Sequence, residues 1–185
     1  MKKFLLVLFA VLLFAIPVIA QEEDNPVVLT WEDDIENVFI ENGHSGTFYN
    51  IPDLGIKLLV PEGLEPVELT ETEINENGLA AAFVNEDSSK QIIVSLRDLG
   101  VDNLYDLSIL ARDSIGEGFK YGGFYKLNGL NAIVFMNTER DELTAAISTT
   151  EPQYFIQVSI LPISDEDMNI LSGFILGSIQ PYTEE

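Results

Sequence analysis

The chain lacks cysteine altogether, and its 185 residues include a single histidine, His44. Disulfide bonds, cysteine nucleophiles and lipid attachment through cysteine are therefore excluded. His44 lies in a polar turn between Gly43 and Ser45, where we expect a solvated ring rather than a catalytic base or a zinc ligand. No G-x-S-x-G, S-x-x-K or H-E-x-x-H motif occurs. These absences favour a protein that is not an enzyme and holds no cofactor.

Basic residues are also scarce, with nine Lys and Arg against 31 Asp and Glu and a formal net charge of −22. Such a surface is repelled by phosphate backbones and by anionic membranes, so nucleic acid is not a predicted partner. The charge favours an exported protein that stays in solution. Recruitment of a cationic partner or of calcium is the alternative.

One acidic stretch, with Asp165, Asp167 and Asn169, has the spacing of a calcium loop. A calcium loop needs glycine at the next position and a bidentate glutamate at its twelfth, but Ile170 and Leu176 stand there. We therefore predict that a helix begins in this stretch and that no metal site is present.

Long apolar runs are limited to the N-terminus, where two lysines precede an unbroken apolar run from Phe4 to Ala20. This pattern is typical of a cleavable signal peptide at residues 1–20, and it predicts a secreted, extracellular protein without membrane contact after cleavage. The lack of cysteine favours a bacterial origin. At about 1.5 Å per residue the run spans roughly 25 Å, short of the roughly 30 Å hydrocarbon core. An uncleaved N-terminal membrane anchor, with the domain outside, is the alternative.

The rest of the chain is predicted to form one domain. Residues 21–29 are expected to be a mobile acidic lead-in, residues 30–181 the domain, and residues 182–185 a short tail. Apolar residues at helical spacing predict helices near 30–42, 103–115 and 165–179. Strands are predicted at 47–51, 56–60, 67–70, 79–84, 91–96, 119–127, 130–136, 143–148 and 154–161. Asn128-Gly129 predicts a two-residue hairpin turn, because both positions need positive φ.

Two of these strands, 130–135 and 154–161, carry apolar residues on both faces. An antiparallel strand has this pattern when both faces of its sheet are covered. We therefore predict an α+β fold, in which an antiparallel β-sheet of about six to eight strands is covered by helices on both faces as an α/β/α sandwich.

The segment Phe119–Lys126 gathers four aromatic residues and two lysines. A surface patch that binds a peptide or a sugar is predicted there, formed by Lys120, Tyr121, Phe124, Tyr125 and Lys126. Regular alternation places Tyr121 and Tyr125 on one face and Phe124 on the other. The alternative is a core strand in which Gly122 and Gly123 mark a β-bulge or the close approach of a helix.

Several short motifs resemble the PsbP-like superfamily. They are the strand and proline motif at 56–64, a helix after the central hairpin, the Asn128-Gly129 hairpin, and a final helix that ends at 177–181. Segments 30–33 and 46–49 are similar to small secreted bacterial proteins of unassigned role. The resemblance implies an α/β/α sandwich and mostly non-enzymatic roles. No functional residue of the superfamily can be matched, so neither photosystem binding nor Ran binding is carried over.

The leading functional hypothesis is a secreted, acidic, non-catalytic binding or accessory protein whose partner is an unknown protein, peptide or glycan. The alternative is a secreted carboxylate-based hydrolase acting on glycans, which needs two acids facing each other across a cleft. A structural surface component without a specific ligand is a further alternative.

Overall fold

The computed structural model describes residues 25–113 and 118–183. The predicted signal peptide, residues 21–24 of the predicted lead-in and residues 184–185 of the predicted tail lie outside these ranges. Within them, no helix is long and apolar enough to cross a membrane.

The described residues form four α-helices and eleven strands, the mixed α+β content that the sequence predicts. The helices are α1 (Asp33–Glu41), α2 (Glu71–Asn75), α3 (Leu104–Asp113) and α4 (Glu166–Ser178). The strands are β1 (Val27–Leu29), β2 (Gly46–Ile51), β3 (Ile56–Pro61), β4 (Glu65–Pro66), β5 (Leu79–Val84), β6 (Gln91–Asp98), β7 (Phe119–Leu127), β8 (Leu130–Asn137), β9 (Glu142–Ser148), β10 (Tyr154–Leu161) and β11 (Gln180–Pro181).

Eight strands form the large sheet, in the order β1-β7-β8-β9-β10-β6-β5-β4. Every neighbouring pair is antiparallel except β1 with β7. The predicted strand number is therefore confirmed. The predicted two-residue turn between β7 and β8 is confirmed as well, because Asn128 and Gly129 have φ values of 47° and 95°.

The sequence predicts β2 and β3 as strands, but they do not join the large sheet. Together with β11 they form a second sheet of three strands, in the order β11-β3-β2. The central strand β3 is buried on both faces: Leu58 and Val60 belong to the main core, while Leu59 packs on the other side against Phe39 and Phe174.

Both faces of the large sheet are covered. On one face, α3 packs Leu104, Leu107 and Ala111 against the sheet residues Phe124 and Phe155. On the other face, the second sheet and α4 enclose the main core. The predicted helical cover on both faces is confirmed, and the second sheet shares one of the two covering layers.

Asn128, in the turn between β7 and β8, ties that turn to two other parts of the fold. Its Nδ2 donates to the carbonyls of Gly177 and Ile179 at the end of α4, both at 2.7 Å. Its Oδ1 accepts the backbone N–H of Trp31 at 2.6 Å. Its own N–H donates to the carbonyl of Leu29 at 2.8 Å. The turn therefore holds both β1 and the end of α4 against the large sheet.

Three local predictions are wrong. Residues 27–29 belong to β1 rather than to a mobile lead-in, because Leu29 packs into the main core and β1 pairs with β7. No strand forms at 67–70, because Thr70 and Glu73 cap α2 reciprocally in an S/T-x-x-E pattern. The first helix begins at Asp33, with Glu32 rather than Thr30 at its cap.

Candidate binding site

The structure buries the aromatic residues of the predicted surface patch. Tyr121, Phe124 and Tyr125 expose only 9%, 3% and 1% of their surfaces, whereas Lys120 and Lys126 are exposed. The strand that carries them, β7, is covered by α3 on one face and by the main core on the other. The three aromatic residues therefore do not contribute to a surface patch, as the alternative prediction of a core strand expects, and only the two lysines reach the surface.

A β-bulge in β7 explains why simple alternation misplaces the aromatic residues. The register with β8 shifts between Tyr121 and Gly123. Tyr121 and Phe124 consequently face α3 together, with ring centroids 6.3 Å apart, while Tyr125 faces the main core. Glycine suits position 122, because a Cβ there would lie 3.0 Å from the carbonyl oxygen of Val134.

The acidic stretch before α4 begins a helix, as predicted, and its acids pair with a lysine of the same chain. Asp165 accepts the N–H of Met168 at 2.9 Å as the N-cap of α4. Lys90 Nζ lies 2.9 Å from Asp165 and 3.7 Å from Asp167. The Met168 N–H and then Lys90 lower the pKa of Asp165. Among the described residues, no group of three or more His, Cys, Asp and Glu side chains could hold a metal ion.

His44 is partly buried, which differs from the predicted solvated ring. Its ring lies 5.5 Å from that of Phe39 and 6.3 Å from that of Phe174. The histidine therefore packs beside the aromatic residues that join α1 to α4.

An open cleft of about 430 Å³ lies beside β2, between the two sheets. We call it the β2 cleft; it is lined by residues 45–49, residues 60–66 and Phe83. Glu62 and Glu65 line it and are exposed. The rings of Tyr49 and Phe83 meet edge to face with centroids 4.8 Å apart, and Tyr49 remains 41% exposed. The cleft thus presents carboxylates next to an accessible aromatic ring.

Backbone N–H and C=O groups that pair with no described strand lie along the outer edge of β2. This strand pairs with β3 and ends its sheet. The N–H of Glu62 donates to the carbonyl of Ser45 at 2.8 Å, which sets the alternation of hydrogen bonds along the two strands. The N–H and C=O groups of Gly46, Phe48 and Asn50 consequently point away from β3, where no strand of the described chain adjoins them.

β2 differs from the three other edge strands in the described part of the chain. β4 and β11 have two residues each, one of them a proline, and β1 has three residues. β2 has six residues, no charge, no proline and an unbroken register with β3. Proteins usually protect exposed edges with short strands, prolines, bulges or charges. β2 has none of these protections.

Three kinds of contact are available at the β2 cleft. Glu62 and Glu65 supply negative charge, and Ser45 Oγ donates a hydrogen bond to Glu62 Oε2. Tyr49 offers an aromatic ring, which attracts cations to its face. The outer edge of β2 offers hydrogen-bond donors and acceptors. This set suits a cationic ligand with hydrogen-bonding and apolar parts.

Sequence reasoning missed this site although it predicted the strand. Glu62 and Glu65 are two of 31 acids, and nothing in their spacing distinguishes them. The position of β2 at an edge depends on long-range pairing, which the local pattern does not contain. The available signal was the absence of charge and proline from residues 46–51.

No protein-family model and no curated protein sequence matches the chain. It is similar to the solution structure of the cyanobacterial PsbP protein (CyanoP) from Synechocystis sp. PCC 6803, with a TM-score of 0.47 and 14% identity, covering 75% of this chain and 93% of that one. A crystal structure from Bacteroides thetaiotaomicron VPI-5482 has a TM-score of 0.43 and 11% identity, covering 75% of this chain and 49% of that one. Neither likeness indicates a function for this chain.

Proposed function

We propose that the chain is a secreted, acidic, non-catalytic binding protein whose ligand binds in the β2 cleft. One observation carries the proposal: an open cleft of about 430 Å³ coincides with an exposed edge strand of six uncharged residues. The apolar N-terminal run and the net charge of −22 support release from the cell in soluble form. The partner is a protein, a peptide or a glycan.

A carboxylate-based glycan hydrolase is the second candidate, because Glu62 and Glu65 line the same cleft. A general acid of this class usually sits in an apolar environment that raises its pKa. Both glutamates are exposed instead, which favours binding over catalysis. Release of sugars from polysaccharides by the wild type, lost in both Glu62→Gln and Glu65→Gln, would establish the hydrolase.

Secretion is tested by mass spectrometry of the protein from the medium of the producing cells. We expect an N-terminus at Gln21. An intact N-terminus, found in the membrane fraction alone, would establish the anchored alternative.

The binding site is tested by capturing ligands from the surroundings of the producing cells with the secreted protein. Capture should be lost in Tyr49→Ala and Glu65→Gln. It should persist in Tyr154→Ala, a matched control whose side chain is 40% exposed, compared with 41% for Tyr49, and lies outside the cleft. Equal capture by all three variants, or equal loss in all three, contradicts a site in the β2 cleft.

A further inference from the structure

We propose that the ligand of the β2 cleft is an extended basic peptide, which adds to the outer edge of β2 as a fourth strand of the small sheet. This inference rests on the proposed function and names the ligand class of the same site. In strand addition, main-chain hydrogen bonds supply affinity, and pockets for alternate side chains supply specificity.

The backbone of β2 is oriented for this pairing. Gly46, Phe48 and Asn50 direct their N–H and C=O groups outward, as the bond between Glu62 and Ser45 requires. The neighbouring strand obeys the same alternation. Leu59, which stands opposite Phe48, donates its N–H away from β2 to the hydroxyl of Ser178 at 2.8 Å.

The two faces of β2 differ in charge, which predicts the side-chain pattern of the peptide. The face toward the cleft has Glu62 and Glu65 nearby. On the other face, Phe48 contacts the ring of Trp31 at 5.7 Å, and Lys57 Nζ lies 5.5 Å from the Phe48 ring centroid. Because side chains alternate along a strand, basic residues of the peptide would face the carboxylates and apolar residues would face Phe48.

Charge also favours a basic peptide over a second copy of this chain. Two copies paired through β2 would each bring a formal net charge of −22 and their own Glu62 and Glu65 to one interface. Like charges placed together oppose association, whereas a basic peptide is attracted.

The test uses heptapeptides with Lys or Arg at odd positions and varied apolar residues at even positions, added to the secreted protein. Bound peptides should slow hydrogen exchange at the N–H groups of Gly46, Phe48 and Asn50 by at least about tenfold. A matched set with Glu or Asp at the odd positions should not bind. Added salt should weaken the binding of the basic set.

Two variants at one position isolate the backbone contribution. Asn50→Pro removes an outward N–H that β3 does not use, and it should weaken binding at least about tenfold. Asn50→Ala keeps that N–H and should bind like the wild type. Thermal unfolding of both variants shows whether the fold is retained, and the exchange measurement on the wild type decides the proposal if Asn50→Pro is unfolded.

Strand addition is overturned if no peptide of the basic set binds, or if a bound peptide protects only amides outside β2. It is also overturned if the protein forms a dimer through β2 without peptide. The proposed function fails separately. If a captured ligand depends on Tyr49 yet leaves the three outward amides unprotected, the cleft remains a binding site and strand addition is rejected. If no ligand depends on Tyr49, both are rejected.

Discussion

β7 and β2 both carry neighbouring aromatic residues, but a ligand can reach only those of β2. β7 contains Tyr121, Phe124 and Tyr125, all buried, whereas β2 contains the half-buried Phe48 and the exposed Tyr49. β7 pairs with β8 along its length and with β1 at Tyr125–Leu127, and both of its faces are covered, while β2 ends its sheet. Position in the sheet, rather than composition, decides which aromatic residues can bind.

Composition alone would assign the binding surface to β7 rather than to β2. β7 has two lysines beside its aromatic residues, which is the usual description of a binding surface, and β2 has no charge at all. Aromatic volume fills the core around β7. At β2 the absence of charge leaves a strand edge unprotected, and that is the feature on which strand addition depends.

The largest expected difference between the two strands is in stability. Tyr125→Ala should lower the free energy of unfolding by about 3–5 kcal/mol, because it leaves a cavity in the main core. Tyr49→Ala, at the exposed position, should lower it by less than about 1 kcal/mol. Chemical denaturation measures both changes. Losses of similar size would contradict the assignment of one strand to the core and the other to the surface.

The pH dependence of stability gives a second test of the buried position of Tyr125 in β7. Burial, and to a smaller extent Tyr121, raises the pKa of Tyr125 from 10.0 to about 12. The unfolded chain therefore loses this proton at lower pH than the folded protein does. The contribution of Tyr125 is complete below pH 10.0 and is lost as the pH rises toward 12, by about 2–3 kcal/mol in total.

Denaturation between pH 10 and 12 checks this expectation in two matched variants. Tyr125→Phe should remove the part of the loss in unfolding free energy that comes from the Tyr125 phenol at alkaline pH. It should also be tolerated near neutral pH, because no described residue hydrogen-bonds the Tyr125 hydroxyl. Tyr49→Phe should retain the alkaline loss of the wild type. An unchanged loss in Tyr125→Phe would show that the buried phenol is not its source.

A smaller loss of stability is expected from a substitution at Asn128, in the turn where β7 ends. Asn128→Asp replaces the amide that donates to Gly177 and Ile179 by an oxygen facing two carbonyls, and it should cost about 2 kcal/mol. Asn42→Asp is the control: the Asn42 amide donates to Val38 in an exposed position, and its loss should cost less than about 1 kcal/mol. Equal losses of stability in the two variants would mean that the hydrogen bonds of Asn128 stabilise the fold no more than an exposed surface hydrogen bond does.

The local patterns predicted from the sequence are mostly present. The cap of α2 at Thr70 and Glu73 is a local signal that was missed, whereas the errors in sheet arrangement come from long-range pairing. The Asn128-Gly129 turn and the helices α1, α3 and α4 are encoded by a few neighbouring residues. The bulge at Gly122 depends on pairing with Val134, and the second sheet depends on β11 reaching β3 across the chain. The candidate site was missed for the same reason. Whether a strand lies at the edge of a sheet depends on which distant strands pair with it, and the local sequence does not show this.

Hydrogen exchange of the secreted protein without ligand tests most directly whether β2 is an open edge. The N–H groups of Gly46, Phe48 and Asn50 should exchange rapidly, while those of Thr47, Tyr49 and Ile51, which face β3, should exchange slowly. The amides of residues 125–127, where β7 has a strand on each side, should exchange slowly as well. Uniform protection along β2 would show that its outer edge is already covered, and it would contradict this account.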